Sequence, residues 1–340
     1  MTGKKADIIA VARAAGVSPS TVSRAFNHPD LVKASTRRRI DAAVRRLGYL
    51  RNRAAQTIHG IRSGTVGLIV PTVAHAIFAE LIQSFSEAIE PRGFTILLAS
   101  HGYSLDREYA LTRKMLEHRV DGVALIGMEH APETFGLLRQ QSAPAVLLWN
   151  ASHGAPVSCA GADNARAGQL VGAHLAGLGH RAVATVFPPL AGNDRARHRF
   201  AGLTDALAEA GIAAPSEWLL QTPYSVADAK DAVGAFLDGG ARPTALVCGN
   251  DVLAWGALHA LAQRGLRAPC DLAVTGIGDF KGSREFEPAL TTVRIPAREI
   301  GALGAAAMAD AIVTPGADPV RHVVAPTLKV RATCGGARPA

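Results

Sequence analysis

Residues 8–27 read IIAVARAAGVSPSTVSRAFN, and the N-terminal part of the chain is organised around them. Helix-favouring, Ala-rich residues run to Gly16, where the chain breaks. Val17-Ser18-Pro19 restarts it: Ser18 offers a side-chain oxygen to orphan amide groups, and Pro19 takes the first helical position, where a missing N–H costs nothing. Ser20 to Phe26 then reads as a second short helix. Two short helices joined by a Gly-containing turn form the helix-turn-helix pattern. The second helix carries Ser20, Thr21, Ser23 and Arg24, groups suited to phosphates and base edges in a major groove.

The wording is closer than the pattern requires. The run Val-Ala-Arg-x-Ala-Gly-Val-Ser-x-x-Thr-Val-Ser-Arg, from Val11 to Arg24, resembles the N-terminal headpiece of the lactose-repressor (LacI/GalR) family. The expectation is that Pro19, Ser20 and Arg24 face the bases, while Ser18, Thr21, Ser23 and Asn27 lie nearer the phosphates. Arg24 is the main candidate specifier, because a guanidinium fork engages guanine O6 and N7 together.

Charge agrees with this division. Residues 1–62 hold 13 Lys/Arg against 3 Asp/Glu, whereas the whole chain carries +8, so the remainder is near −2. A concentrated positive segment on a near-neutral body is the electrostatic footprint of a nucleic-acid-binding unit. A length of 340 residues implies two or three compact units, and 48% hydrophobic residues allow a sizeable core. No stretch approaches 18 uninterrupted apolar residues, so no membrane partner is expected. The start of the chain lacks an adequate apolar segment for export, which points to a cytoplasmic protein. Cys159, Cys248, Cys270 and Cys334 form no C-x-x-C pair and read as buried or incidental thiols rather than metal ligands.

A third helix is expected from Ser35 or Thr36 to Leu47. Ile40, Ala43, Val44 and Leu47 share a stripe, and Arg37, Arg38, Arg39, Arg45 and Arg46 lie largely outside it. Gly48 ends it, and Tyr49 closes the small core. The segment Asn52 to Gly60 is too short to be a stable isolated helix. In the family this is the hinge helix, ordered when two copies meet on the minor groove. Asn52, Ala55 and Gln56 match that pattern, and Ile58 stands at the apolar wedge position, where Leu is usual.

From Thr65 onward apolar runs alternate with helix-length segments. TVGLIVP, FTILLAS, DGVALIG and PAVLLWN form one series; AVATVF, ALVCG and LAVTG form a second. Such runs with helical crossovers imply parallel sheets covered on both faces, in two doubly wound lobes. This resembles the periplasmic-binding-protein-like body of the same family. The expected organisation is a headpiece over 1–50, a hinge and linker over 51–64, and an effector-binding and dimerisation domain over 65–334. Its first lobe would take 65–162 and 290–322, its second 163–289 and 323–334. No leucine heptad follows Val330, which favours a homodimer over a tetramer.

Ligands of open α/β sheets sit beyond the carboxyl ends of the strands. The candidate loops contribute Ile77, Phe78, His101, Tyr103 and His130 from the first lobe. The second lobe offers Asn193, Arg197, Arg199, Tyr224, Asn250, Asp251, Gly278 and Lys281. The resemblance makes Arg199 the effector-gripping arginine, Asn250-Asp251 the Asn-Asp at a helix start, and Phe78 and Tyr224 packing residues. The family usually has an Asp that binds sugar hydroxyls where this chain has Gly278 in Gly276-Ile277-Gly278-Asp279-Phe280. With that carboxylate absent, an anionic ligand is repelled less. These residues, with His101-Gly102-Tyr103, look like the gluconate-repressor branch and imply a sugar acid such as gluconate or a ketogluconate.

Other readings stand beside these. His101 and His130 can be hydrogen-bonded loop histidines, Asp251 can simply cap its helix, and Trp149, Trp218 and Trp255 can be core. Ile58 can be a linker residue. The effector can be a purine or a neutral sugar. An enzyme of two α/β lobes would want G-x-x-x-x-G-K-[ST], G-x-S-x-G or H-E-x-x-H, and the chain has none. A free-standing sugar-binding protein would want an export signal and no basic headpiece. The expected partners are therefore palindromic operator DNA, a small effector and a second copy, with no cofactor and no metal.

Overall fold

The computed structural model describes residues 6–50, 62–152, 154–213 and 215–335. The expected hinge residues Asn52, Ala55, Gln56 and Ile58 lie outside them. The chain divides into an N-terminal unit ending at Ser63 and a body beginning at Gly64.

In the N-terminal unit, α1 spans Ile8–Ala15, α2 Pro19–Asn27 and α3 Ala34–Leu47. Asp7 caps α1 by accepting the Ala10 amide at 2.8 Å, and Gly16 closes it in the left-handed conformation. Ser18 caps α2, with Pro19 as its first residue. Val11, Val22 and Ile40, one from each helix, are fully buried, and each such burial stabilises the unit by about 1.5–3 kcal/mol. Tyr49 packs near Phe26, with ring centroids 6.2 Å apart. The stripe on α3 is shorter than expected: Ile40 and Ala43 are buried, but Leu47, in the last turn, is 36% exposed because the core ends before it.

The body contains two six-stranded sheets. In the first lobe the strands are β1 (Thr65–Val70), β2 (Thr95–Ser100), β3 (Val123–Ile126), β4 (Ala145–Asn150) and β5 (Ser158–Ala162). They are joined through α4 (Ala76–Ile89), α5 (Leu105–Glu117) and α6 (Pro132–Gln140). The second lobe holds α7 (Asn164–Gly177), β6 (Val183–Phe187), α8 (Asp194–Glu209), β7 (Leu219–Gln221), α9 (Val226–Asp238) and β8 (Ala245–Cys248). It continues with α10 (Asp251–Gln263), β9 (Ala273–Gly278) and β10 (Thr291–Arg294); α11 (Ala297–Val313) and β11 (Arg321–Val324) then return to the first lobe, and β12 (Thr327–Lys329) to the second.

The first sheet runs β11-β5-β4-β3-β1-β2, entirely parallel; the second runs β12-β10-β9-β8-β6-β7, with only β12 antiparallel. The chain crosses between lobes three times, after Ala162, Arg294 and Val324. Two expected boundaries shift. Residues 291–294 belong to the second sheet, because Thr291–Arg294 pair in register with Thr275–Gly278. Arg321–Val324 pair with Cys159–Ala162, so the first lobe extends to Val324. The central strands β1, β3 and β4 are buried almost throughout, as strands covered on both faces must be.

Candidate functional site

On the N-terminal unit, α2 turns Val22 and Ala25 inward. Ser20, Ser23, Arg24 and Asn27 then fall together on the opposite face by helical spacing. Ser18, Pro19, Ser20, Arg24 and Asn27 are exposed, while Thr21 and Ser23 are half-buried. Ser18 spends its hydroxyl locally: Oγ accepts the Thr21 amide at 3.2 Å and lies 2.8 Å from the hydroxyls of Ser20 and Thr21. Asn27 Nδ2 donates to Ser23 Oγ at 3.3 Å. Arg24 has no ion pair among the described residues, so its fork is available. Arg37, Arg38, Arg39, Arg45 and Arg46 are also exposed, and none of them is in an ion pair among the described residues.

In the body, a cavity of about 410 Å³ opens at the carboxyl ends of β1, β2, β6 and β7. Thr72, His75, Gly102 and Tyr103 line it from the first lobe; Pro188, Pro189, Ala191–Asn193, Pro223 and Tyr224 do so from the second. The Tyr103 and Tyr224 rings lie 5.8 Å apart and His75 meets Tyr224 edge-on at 5.6 Å, giving an aromatic wall. Tyr103 holds a left-handed backbone (φ 63°), a conformation costly for a bulky residue and a frequent mark of functional sites. Burial pushes its hydroxyl pKa up and lowers that of the His75 imidazole. Asn193 caps α8 through Oδ1 and donates from Nδ2 to the Tyr224 hydroxyl at 3.2 Å.

Arg199 is 5% exposed. Its Nε donates to Asn164 Oδ1 at 2.7 Å and its Nη1 to the Gly249 carbonyl at 3.0 Å, both neutral acceptors. Nη2 has no hydrogen-bond partner among the described residues, and no carboxylate lies within ion-pair distance of the guanidinium there. Burial pulls its pKa below the ordinary arginine value, with the Tyr224 hydroxyl acting the other way. Helix packing places it: a Cβ on Gly168 of α7 would sit 1.9 Å from the Arg199 carbonyl, and one on Gly202 of α8 would sit 2.0 Å from that of Ala165. The two helices cross backbone to backbone, which brings Asn164 at the start of α7 against Arg199.

The start of α8 also grips the first lobe. Asp194 accepts the Met128 amide and Asn150 Nδ2, each at 2.7 Å, while Arg195 Nη1 donates to Asp194 and to the Ile126 carbonyl. Burial pushes the Asp194 carboxyl up, but Arg195, the Met128 amide and Asn150 together hold it below the ordinary value. Gly127 makes this approach possible, because a Cβ there would lie 2.4 Å from Arg195 Nη1. Arg197 pairs with Glu129 across the rim at 3.1 Å. It belongs to the contact between lobes rather than to the cavity wall.

Several expected effector residues lie elsewhere. Asp251 is fully buried and accepts the Phe280 amide (2.8 Å), the Ser283 hydroxyl (2.6 Å) and the Thr292 hydroxyl (2.5 Å). It ties the loop after β9 to α10, and burial pushes its pKa up to about 6 despite those bonds. Asn250 is the cap of α10, accepting the Leu253 amide at 3.0 Å. Gly278 (φ 141°) is blocked by Phe280, whose ring would lie 2.0 Å from an added Cβ. Lys281 lines a separate charged groove with Arg284, Arg294 and Arg298, since the loop after β9 turns away from the cavity.

His130 is a buried clamp: Nδ1 lies 2.8 Å from Glu108 and Nε2 3.1 Å from the Gly127 carbonyl. His101, also buried, uses Nδ1 on the Ser104 carbonyl, and burial lowers its pKa. Ile77 is core; Phe78 packs against Trp149 at 5.5 Å. Of the expected set, then, Tyr103, Asn193 and Tyr224 line the cavity, while Arg199 is buried beside Asn164 and is not among the lining residues. Asn150, Asn164, His75 and the carboxylate of Asp194 were not anticipated. Two of them had a signal in the sequence: Asp194 adjoins the expected Asn193, and His75 lies two residues before the expected Ile77.

Among the described residues no group of three His, Cys, Asp or Glu is placed to hold a metal ion, and no helix is long and apolar enough to cross a membrane. The family pattern for bacterial regulatory proteins of the lacI family matches residues 7–52, and that for a periplasmic binding protein-like domain matches 173–334. The HTH-type transcriptional repressor PurR of Yersinia pestis (strain Pestoides F) is 32% identical over 325 residues, covering 94% of each chain. Among solved structures, the lac repressor dimer bound to operator and the anti-inducer ONPF is 25% identical, with TM-score 0.85, covering 97% of this chain and 99% of that one. The transcription regulator GntR of Chromobacterium violaceum is 29% identical, with TM-score 0.74, covering 79% of this chain and 98% of that one. These relatives are transcription regulators rather than enzymes. The chain belongs to the lacI family of bacterial regulatory proteins, with a helix-turn-helix DNA-binding unit and an effector-binding body.

Proposed function

We propose that the protein is a cytoplasmic repressor that binds a palindromic operator as a homodimer and releases or tightens its grip when a sugar acid enters the cleft. The observation that carries the effector class is Arg199: a buried guanidinium with neutral acceptors, no carboxylate partner among the described residues and Nη2 unused. A desolvated cation with no carboxylate in ion-pair contact favours an anionic ligand group, and a guanidinium suits a carboxylate in particular. The aromatic and proline-lined wall suits the apolar face of a carbon chain or ring. The operator and dimer reading draws on the lac repressor complex and on the exposed Arg24 face; two α2 helices would then occupy adjacent half-sites.

The aromatic wall of Tyr103, Tyr224 and His75, tilted and edge-on to one another, favours a second reading, a planar base. Melting the protein with millimolar D-gluconate, 2-ketogluconate, D-glucose and hypoxanthine separates the two. A ligand at about 100 times its Kd adds roughly 2.7 kcal/mol to native stability. Stabilisation by the acids alone supports the sugar-acid reading, and stabilisation by hypoxanthine or glucose instead overturns it.

A further inference from the structure

Four side chains and one backbone amide form a continuous hydrogen-bonded line through the cleft. The Met128 amide donates to Asp194, Asn150 Nδ2 donates to the same carboxylate, Asn164 Nδ2 donates to Asn150 Oδ1, and Arg199 Nε donates to Asn164 Oδ1. The line passes back and forth between lobes: Met128 and Asn150 stand in the first, Asp194 and Arg199 in the second, and Asn164 just after the first crossing.

Its two ends fix its direction. An ionised carboxylate only accepts and a guanidinium only donates, so each asparagine amide between them has a single orientation that satisfies both neighbours. Turning either amide over places donor against donor at one end and acceptor against acceptor at the other. All four side chains are at least nine-tenths buried, where such a mismatch is costly. Asn164 is free for this task because the cap of α7 is supplied by Asp163, which accepts the Arg166 amide at 2.8 Å.

We infer that Asn164 is a positioning residue that couples the seating of Arg199 to the contact between the lobes at Met128. In part this rests on the reading of Arg199 as the effector contact. An anion on Nη2 shifts the guanidinium; Asn164 transmits the shift to Asn150; Asn150 alters the second bond of Asp194 and so the hold on Met128. Coupling of this kind is reciprocal: strengthening the contact between lobes changes anion affinity by the same factor.

The test is amide exchange in the ligand-free full chain, read by NMR at Met128 and at Gly67, whose amide is bonded to the Gly122 carbonyl within the first lobe. Asn164→Asp keeps an acceptor for Arg199 but cannot donate to Asn150. The expected result is exchange at Met128 faster by tenfold or more, with Gly67 unchanged, although residue 164 touches neither. Asn164→Ala, which removes both bonds of the line together with that from Nδ2 to the Ala162 carbonyl, gives the same result and decides the matter if the Asp variant does not fold. Met128 exchange within twofold of wild type in the folded variant overturns the inference. The same proteins are then melted with D-gluconate. Failure of wild type to respond removes the sugar-acid reading, while the exchange result still judges the relay. Where wild type responds, a tenfold loss of affinity in the variant is expected, and unchanged affinity contradicts the coupling.

Discussion

Asp194, the first residue of α8, accepts the backbone amide of Met128 from the opposite lobe at 2.7 Å. The same carboxylate neutralises the buried Arg195 at 3.0 Å. One side chain therefore balances a charge and holds the lobes together.

Asp194→Ala leaves Arg195 buried without its counter-charge, and removing one partner of such a pair costs about 3–5 kcal/mol. Urea unfolding at pH 7 measures this. The pH dependence has a definite sign. Because the folded carboxyl titrates below the ordinary value of 3.8, its stabilisation is fully present above that value and is lost as pH falls through the folded pKa. The gap between wild type and variant is expected to be constant from pH 5 upward and to narrow below pH 4.

Asp251 behaves in the opposite way. Its carboxyl is raised from 3.8 to about 6 by burial, so the fold favours the protonated form. Its contribution is greatest below pH 3.8 and is lost as pH rises through about 6, a change of about 3 kcal/mol at 1.36 kcal/mol per unit. Unfolding curves between pH 4 and 7 should show this fall in wild type and not in Asp251→Asn, relative to each protein's value at pH 4.

Gly278→Asp restores the carboxylate usual in the family but forces a Cβ onto the Phe280 ring. Overpacking of this kind costs about 1–3 kcal/mol. Pairing it with Phe280→Ala should recover part of that loss, so the double variant is expected to be more stable than the sum of the single losses. Simple additivity in urea melts counts against the steric account.

The local chemistry of the headpiece was legible because its signals lie within a few residues. Ser18 and Pro19 mark the start of α2, and Gly16 and Gly48 mark helix ends. The seven apolar runs likewise became β1–β4, β6, β8 and β9. β5 was missed because SCAGA carries no large apolar residue, and β10 because three of the four residues of TTVR are polar. The cleft was legible in part. The loops after β1, β2, β6 and β7 line the cavity and that after β9 does not, while Asp251 and His130 were drawn inward by partners distant in sequence, Thr292 and Glu108 among them. The alignment of Asn150 and Asn164 with Arg199 depends on the glycine-mediated crossing of α7 and α8, which no local pattern encodes.

Arg24→Ala is expected to weaken binding to an operator selected from random duplexes by about 1–3 kcal/mol, with a much smaller loss on unrelated DNA. Fluorescence anisotropy at fixed salt compares the two. An equal loss on both duplexes would assign Arg24 to the phosphates.

The most direct measurement is operator affinity with and without saturating D-gluconate, in wild type and in Arg199→Ala. Wild type should change its operator Kd by tenfold or more, and the variant should show no change on adding the ligand. No response in wild type, or an equal response in the variant, would contradict the assignment of an anionic effector to Arg199.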